Sequence, residues 1–513
     1  MWHRLFWGVL ALWLPVVFAQ SLCSSIAPQQ ERFFTVDPAL ASFSTASPAI
    51  AGLTMWRKPT KAPPTKRSLL DEDGPLLSLP SSLLAASTLE PISFAVAYQR
   101  SGDDPNQPSG LGVFLQRFTG MVSTNSSVQP YGPIERDGPE LRVNTVTLYD
   151  QSSPSMAELG KVTPGYVVVY QSTVALNATN RAARILAQRF DPDGNRLGGE
   201  KMASGDAGNL PRQDTVPVVT YIPPSPPSGT TNPWGGAVTT DGFAVVWIRY
   251  AVGANGLLGT GNVMLKMYNH DGSARTFETQ VNTITKGATA AEVAGLTDGR
   301  VVVTWTATQT GCSGTDIMMQ MYAPNGFPIG SETIVNGVRS GDQGSSTVTG
   351  LADGGFVVGW RTTLQSGASN GLYQQRFNRL GARVGGQTLI PYTANADQTE
   401  PFVLGLDKGG WAVAWNDLYN PSLAGTSSSS TSSSSAVAPT DALTVLQKSF
   451  RHDGAPNARG CIVPANITSS DSGSPSYSSD FMPVMAQASH AHYLVAWTRN
   501  NAIVQGALFT AFS

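Results

Sequence analysis

Short, nearly continuous apolar runs alternate along this chain with turns marked by Asp, Asn and Gly, and the same order of runs recurs. The clearest copy reads Leu351-Ala-Asp-Gly-Gly-Phe-Val-Val-Gly-Trp360, then Leu372-Tyr-Gln-Gln-Arg-Phe377, Gly381 and Gly385-Gly386. Four strand-like runs fit in one copy. The first precedes the Asp-Gly turn, as in Ser346-Thr-Val-Thr-Gly-Leu351. The second, Phe-Val-Val-x-Trp, is β-branched and apolar throughout, as a strand buried on both faces requires. The third alternates and ends in Arg-Phe or a Tyr equivalent, and the fourth is Gln387-Thr-Leu-Ile390. Asp-Gly and Asn-Gly between such runs are hairpin signals, because both residues tolerate positive φ.

The frame recurs at Phe94–Phe118, Gly165–Gly194, Asp241–Gly272, Asp298–Gly326, Gly409–Gly454 and Tyr493–Phe512. Each second run ends on an anchor aromatic: Tyr98, Tyr170, Trp247, Trp305, Trp360, Trp415 and Trp497. The shortest spacing between anchors, 55 residues, is the bare unit, and longer spacings mean inserted loops. Such a unit cannot bury both faces alone, so neighbours must stack. The pattern predicts an all-β fold: a seven-bladed β-propeller of four-stranded antiparallel blades over residues 81–513. An open β-solenoid or two packed sandwiches are the competing arrangements. The last copy stops after its third run. Glu31-Arg-Phe-Phe-Thr-Val36 resembles a fourth run, so residues 20–37 are expected to supply the strand that completes the last blade and closes the ring.

The ends and insertions refine this picture. His3 and Arg4 precede an apolar run from Leu5 to Phe18, and Val17-Phe18-Ala19 suits a signal peptidase, so residues 1–19 read as a signal peptide. That run is shorter than the ~20 residues of a spanning helix, and a soluble, exported protein is expected, secreted to the medium or cell surface, with no membrane span. Asn125, Asn177 and Asn466 begin glycosylation sequons. Three cysteines exclude a disulfide-held miniprotein; Cys23 and Cys461 are placed to bridge neighbouring outer strands, leaving Cys312 free. Residues 38–80 match no part of the repeat and read as a linker or loop containing the dibasic pair Lys66-Arg67. Pro223–Ser228 is a stiff excursion and Ser427–Ser435 is low-complexity. The loops Gln99–Gly112, Gln171–Arg184, Ile248–Asn262 and Asn416–Ala442 are long. In a propeller they open on one face, which makes that face the candidate binding surface.

Charged residues make up 13% of the chain and the net charge is −2, which gives nucleic-acid binding no electrostatic support. The turn aspartates (Asp193, Asp241, Asp271, Asp298, Asp353, Asp453) are explained by turn formation. Asp191-Pro-Asp-Gly-Asn195 superficially resembles a calcium loop, but its Gly comes early and its twelfth position is Met202. His490 and His492 lack an identifiable third metal ligand, and His270 and His452 decorate turns. The anchor tryptophans belong to the core rather than to a sugar platform. Arg100, Arg249 and Arg499 stand two residues beyond an anchor aromatic and Arg361 one beyond. In a propeller these positions approach the mouth of the candidate face. There their planar forks suit carboxylated or sulfated glycans, ordinary solvated loop arginines being the competing reading. No nucleophile elbow, zinc-protease helix or phosphate loop occurs, and no metal or cofactor is expected.

The stretch Asp353-Gly-Gly-Phe-Val-Val-Gly-Trp360 with Gln375-Arg-Phe377 and Gly385-Gly386 resembles the repeats of large extracellular bacterial proteins, some attached to adhesin or calcium-binding toxin-type modules. The resemblance covers roughly residues 80–513 and is closest in the fourth to sixth copies. It implies exported repeat architecture and assigns no catalytic residue or ligand. The expected function is a monomeric, secreted, non-catalytic binding or adhesion protein whose loop face takes extracellular glycans or proteins. A polysaccharide-acting hydrolase or lyase, whose acids the fold alone would assemble, is the first alternative, and a structural surface or cell-wall protein the second.

Overall fold

The computed structural model describes residues 33–35, 50–56, 89–101, 110–123, 134–160, 164–175, 181–205, 212–225, 238–253, 256–283, 286–308, 314–363, 371–390, 398–419, 442–457, 463–464, 480–489, 492–499 and 503–510. The leader, Lys66-Arg67, the three cysteines, the three sequons, His490, the tract Ser427–Ser435 and most of the four long loops lie outside them. Among the described residues the chain is all-β, with no helix, and so none long and apolar enough to cross a membrane.

Each sequence copy folds as an antiparallel sheet, called here units 1 to 7. Unit 5 is the plainest: Asp342–Gly350, Phe356–Thr363, Gly371–Phe377 and Arg383–Leu389 pair in chain order. Units 4 and 6 have the same four-stranded order, and unit 1 differs in a split fourth strand. Units 2 and 3 share one larger sheet through a parallel bridge between Gln213 and Ala183. In unit 7 the outermost strand is Phe33–Thr35, antiparallel to Ile503–Thr510 with Phe34 opposite Gly506. Within the segment read as a linker, Ile50–Trp56 forms a strand antiparallel to Leu89–Ser101, so unit 1 takes its first strand from there.

The recurring residues have visible structural work. The residue that starts the second strand stacks across the hairpin on the one that ends the third. Phe94–Phe118, Tyr166–Phe190, Phe243–Tyr268, Phe356–Phe377 and Trp411–Phe450 have ring centroids 5.0, 5.3, 4.9, 4.8 and 5.4 Å apart. The anchor aromatics are buried to the last atom or nearly so, which removes them as a sugar platform. The glutamine of Gln-Arg-Phe has its own task. The side chains of Gln116, Gln188, Gln320 and Gln375 each donate to the following residue's carbonyl and to a carbonyl in or beside the fourth strand, at Gly138, Gly198, Ile329 and Gly385 among others. In the turns, Asp271, Asp353 and Asp453 accept the N–H two residues on, and Gly354 adopts φ +81°.

Successive units are joined through their first strands. Gln151–Glu158, Arg212–Ile222, Lys286–Gly295, Asp342–Gly350, Gln398–Gly405 and Asp480–Ser489 each pack on the next, and Ile50–Trp56 touches both Gln151–Glu158 and Asp480–Ser489. The approach is close. A methyl group on Gly295, Gly350 or Gly405 would come within 2.0, 2.5 or 2.1 Å of the carbonyl oxygen of Tyr221, Gly295 or Gly350, one unit upstream. These glycines give the first strands room to meet.

Gly350→Ala should therefore force two backbones apart and destabilise the protein by about 1–3 kcal/mol, read by equilibrium chemical unfolding. An unchanged midpoint would show that the glycines are incidental.

Candidate functional site

The first strands share a second feature. Each is broken by a bulge: register shifts fall at Ser152/Ser155, Thr215/Val218, Thr289/Glu292, Gly344/Thr347, Thr399/Phe402 and Phe481/Val484. In four of them the bulge holds a non-glycine residue in the left-handed region: Ser153, Val216, Ala290 and Ser345, at φ 49–50°. A β-branched residue such as Val216 adopts that conformation only under constraint, and bulges re-aim the side chains beside them. The position after the bulge holds Ser155, Val218, Glu292, Thr347, Phe402 and Val484 in units 2 to 7. Its direction is shown by Ser155 Oγ, which accepts from Val219 N at 3.2 Å, and Thr347 Oγ1, which accepts from Val403 N at 3.3 Å. Each faces the first strand of the next unit.

Glu292 is thus the one carboxyl at this repeated position, set where first strands meet. It keeps part of its surface open but lies deep in the protein. Among the described residues it makes no hydrogen bond and no ion pair. Burial alone pushes its carboxyl up to about 8, since the charged form loses hydration and gains nothing in exchange. At neutral pH the group holds a proton that it can give away.

Two nearby acids, Asp214 and Glu278, are already paired. Asp214, fully buried, accepts from Arg249 Nε at 2.6 Å, from Arg212 Nε at 2.9 Å and from Trp247 Nε1 at 3.2 Å. Glu278 pairs with Arg249 and accepts from Gly205 N at 2.8 Å. Burial raises the Glu278 carboxyl, but hydrogen bonds from Arg249 and Gly205 and the charges of Arg249 and Arg212 outweigh it and hold the group below the ordinary carboxylate range. Glu278 also belongs to a recurring set that the sequence reading missed. Glu200 accepts from Thr145 N, Glu332 from Thr283 N and Gln387 from Gly337 N, each fastening the link that leaves the preceding unit. A companion set, Asn144, Asn282, Asn336 and Ser204, accepts from Val113, Val263, Ile317 and Ile185 N at the start of the third strand. The signal for both was present as Glu278-Thr-Gln-Val-Asn282 and Glu332-Thr-Ile-Val-Asn336.

The four candidate arginines fall out differently. Arg100 pairs with Glu140 at 2.8 Å and lies over the Phe114 ring at 4.2 Å. Arg249 is held by Asp214 and Glu278. Arg361 is half-buried, with no hydrogen bond or ion pair among the described residues. Arg499 lies in the strand His492–Arg499, and its side chain is outside the described residues. The Cys23–Cys461 bridge and the glycosylation sites are outside them as well. His492 is buried opposite Thr510, and the described residues contain no cluster of three potential metal ligands.

No family model matches the chain, and no curated protein matches it. Several solved structures are similar in part. A Dyadobacter fermentans protein of unknown function has a TM-score of 0.41 at 9% identity, over 70% of this chain and 94% of its own. An α-L-arabinanase of Penicillium chrysogenum, complexed with arabinobiose, has a TM-score of 0.40 at 12% identity, over 69% of this chain and 92% of its own. An α-L-arabinofuranosidase of Fusarium graminearum, also with arabinobiose, has a TM-score of 0.40 at 9% identity, with the same coverages. At these TM-scores the likenesses carry no argument about substrate or residue roles. The expectation of a non-catalytic binding or adhesion protein is nevertheless corrected. The two named enzymes above, similar in part to this chain, act on arabinose-containing glycans and are not adhesion proteins.

Glu292 makes the stability of the fold depend on pH. Its carboxyl is protonated in the folded chain up to about pH 8 but ionised in the unfolded chain above the ordinary 4.5. Folding then binds a proton across that window, so the contribution is whole below pH 4.5 and is lost as pH rises through 8. Glu292→Gln should melt like the parent at pH 4 and above it at pH 9, in paired thermal scans. Equal melting at both pH values would place Glu292 in bulk-like solvent.

Proposed function

We propose that the seven units close into one propeller ring, with Phe33–Thr35 completing unit 7, and that this secreted chain is a polysaccharide-acting hydrolase with Glu292 as general acid. Closure is supported by the double contact of Ile50–Trp56 and by the pairing of Phe33–Thr35 with the last strand. The catalytic reading is carried by one carboxyl beside a strained bulge on a first strand, with no hydrogen-bond or ion-pair partner among the described residues, whose burial raises its pKa to about 8. Glycosidic bond cleavage begins when such an acid protonates the leaving oxygen while the C–O bond breaks. Lyase chemistry starts instead by removing a proton from the sugar, a base's task that a protonated Glu292 cannot perform. As a general acid, Glu292 fits the hydrolase rather than the lyase.

Glycosidases of this type use a second carboxylate to activate water or form a covalent intermediate. Besides Asp214, the other acids that stand on first strands are Glu158, Asp342, Glu400 and Asp480. Single Gln or Asn variants of these four would identify it.

Reducing-sugar release from a panel of polysaccharides, arabinan among them, tests the activity. The parent should release sugar, with a rate that declines as pH rises through about 8. Glu292→Gln should be slower by about 10²–10⁴-fold with its fold intact. Release by neither protein on any substrate removes the enzyme reading. Closure has its own test. Deleting residues 20–37 leaves unit 7 one strand short and should lower the melting temperature sharply; an unchanged melt would mean that the ring does not need this strand.

A further inference from the structure

We propose that Arg361 is the recognition cation of this site, and that the polysaccharide it takes carries carboxylate or sulfate groups. The inference rests on the hydrolase reading only in calling that polysaccharide a substrate.

Its basis is a comparison across the repeat. The residue after the anchor aromatic is Gln99, Gln171, Ile248, Thr306, Arg361, Asn416 and Thr498 in units 1 to 7. Only unit 5 puts a charge there. Two neutral copies show what the position reaches. Gln99 Oε1 accepts from Ser153 N at 2.8 Å, the left-handed bulge residue in the first strand of unit 2. Thr306 Oγ1 lies 4.0 Å from the point where a Cβ on Gly344 would stand, beside the bulge of unit 5. The position thus turns toward the next unit's first strand. Arg361 faces Leu372 and Gly344 across its two ladders, with its side chain half-buried.

Several other arginines among the described residues are held by protein partners. Arg117 pairs with Asp137, Arg300 with Asp298, Arg339 with Asp316 and Arg376 with Asp353, and Arg189 donates to the carbonyls of His270 and Leu197. A half-buried guanidinium with no acceptor among the described residues gains hydrogen bonds and charge pairing from a ligand anion. The planar fork matches a carboxylate or sulfate through two parallel N–H···O bonds, which a lysine cannot reproduce. Protonated Glu292, one unit away, carries no charge to repel such a group.

The competing account is internal. The sequence places Glu400 in the bulge of the next unit's first strand, where it could serve as a structural partner for Arg361. Affinity electrophoresis and titration calorimetry with polygalacturonate, a sulfated galactan, neutral galactan and arabinan separate the two. They are run on the parent and in a Glu292→Gln background, so binding is read without cleavage. The parent should bind an anionic glycan at least about tenfold more tightly than its neutral counterpart, a difference of about 1.4 kcal/mol. Arg361→Gln should abolish that preference, Arg361→Lys should keep part of it, and melting temperatures should hold.

Three results would overturn the proposal: no preference for anionic glycans in the parent, unchanged preference in Arg361→Gln, or equal loss of melting temperature in Arg361→Gln and Glu400→Gln with binding intact. Charge-dependent binding without any sugar release would instead overturn the hydrolase and leave Arg361 as a glycan-binding residue.

Discussion

The whole architecture depends on sheet faces that no unit can cover by itself. Trp247, Trp305, Trp360, Trp415 and Trp497 are fully buried only because a neighbouring sheet lies against them. Burying one such ring is worth a few kcal/mol, and an isolated unit would expose several apolar side chains at once. Stacking therefore comes before every other feature, and it sets a steric condition at the narrow end, where first strands crowd together. Gly295, Gly350 and Gly405 meet that condition by omission of a side chain. The left-handed bulges meet it by bending the strand locally, at a cost of about 1–3 kcal/mol for each strained residue.

Much of this was legible in the sequence because the repeat multiplies weak signals. A single Phe-Val-Val-x-Trp run could be a buried helix segment, but the same run preceded by an Asp-Gly turn and followed by Gln-Arg-Phe is a hairpin. The first strand of unit 1 escaped because Ile50-Ala-Gly-Leu-Thr-Met-Trp56 stands far from its partner Leu89–Ser101 and lacks the Asp-Gly turn that announces those of units 3, 4 and 5. Long-range pairing leaves no local trace when the connecting segment is irregular.

The candidate site was far less legible, and the reason is physical. Arg100 and Arg249 looked available because a sequence does not show that Glu140, Asp214 and Glu278 return from distant strands to meet them. Glu292 drew no attention because it sits in Ala-Ala-Glu-Val, with no motif around it; its character comes from what surrounds it in space. Chemical identity along this chain is local, whereas acidity and availability are set by neighbours tens of residues away. Tyr170 illustrates the same point: burial first, then the adjacent Glu200 carboxylate, lifts its hydroxyl far above the ordinary phenol range.

The glutamates that fasten the links have a consequence for ancestry. Glu200, Glu278 and Glu332 each grip the strand-to-strand link leaving the unit before, and each unit also sends out a link of its own to be gripped. A single stretch of gene encoding one unit therefore carries both halves of the coupling. Copied in tandem, it would join itself to either neighbour without any compensating change, and the array could lengthen by duplication alone. What limits such growth is the geometry at the narrow end, where an added copy has to find room among the glycines.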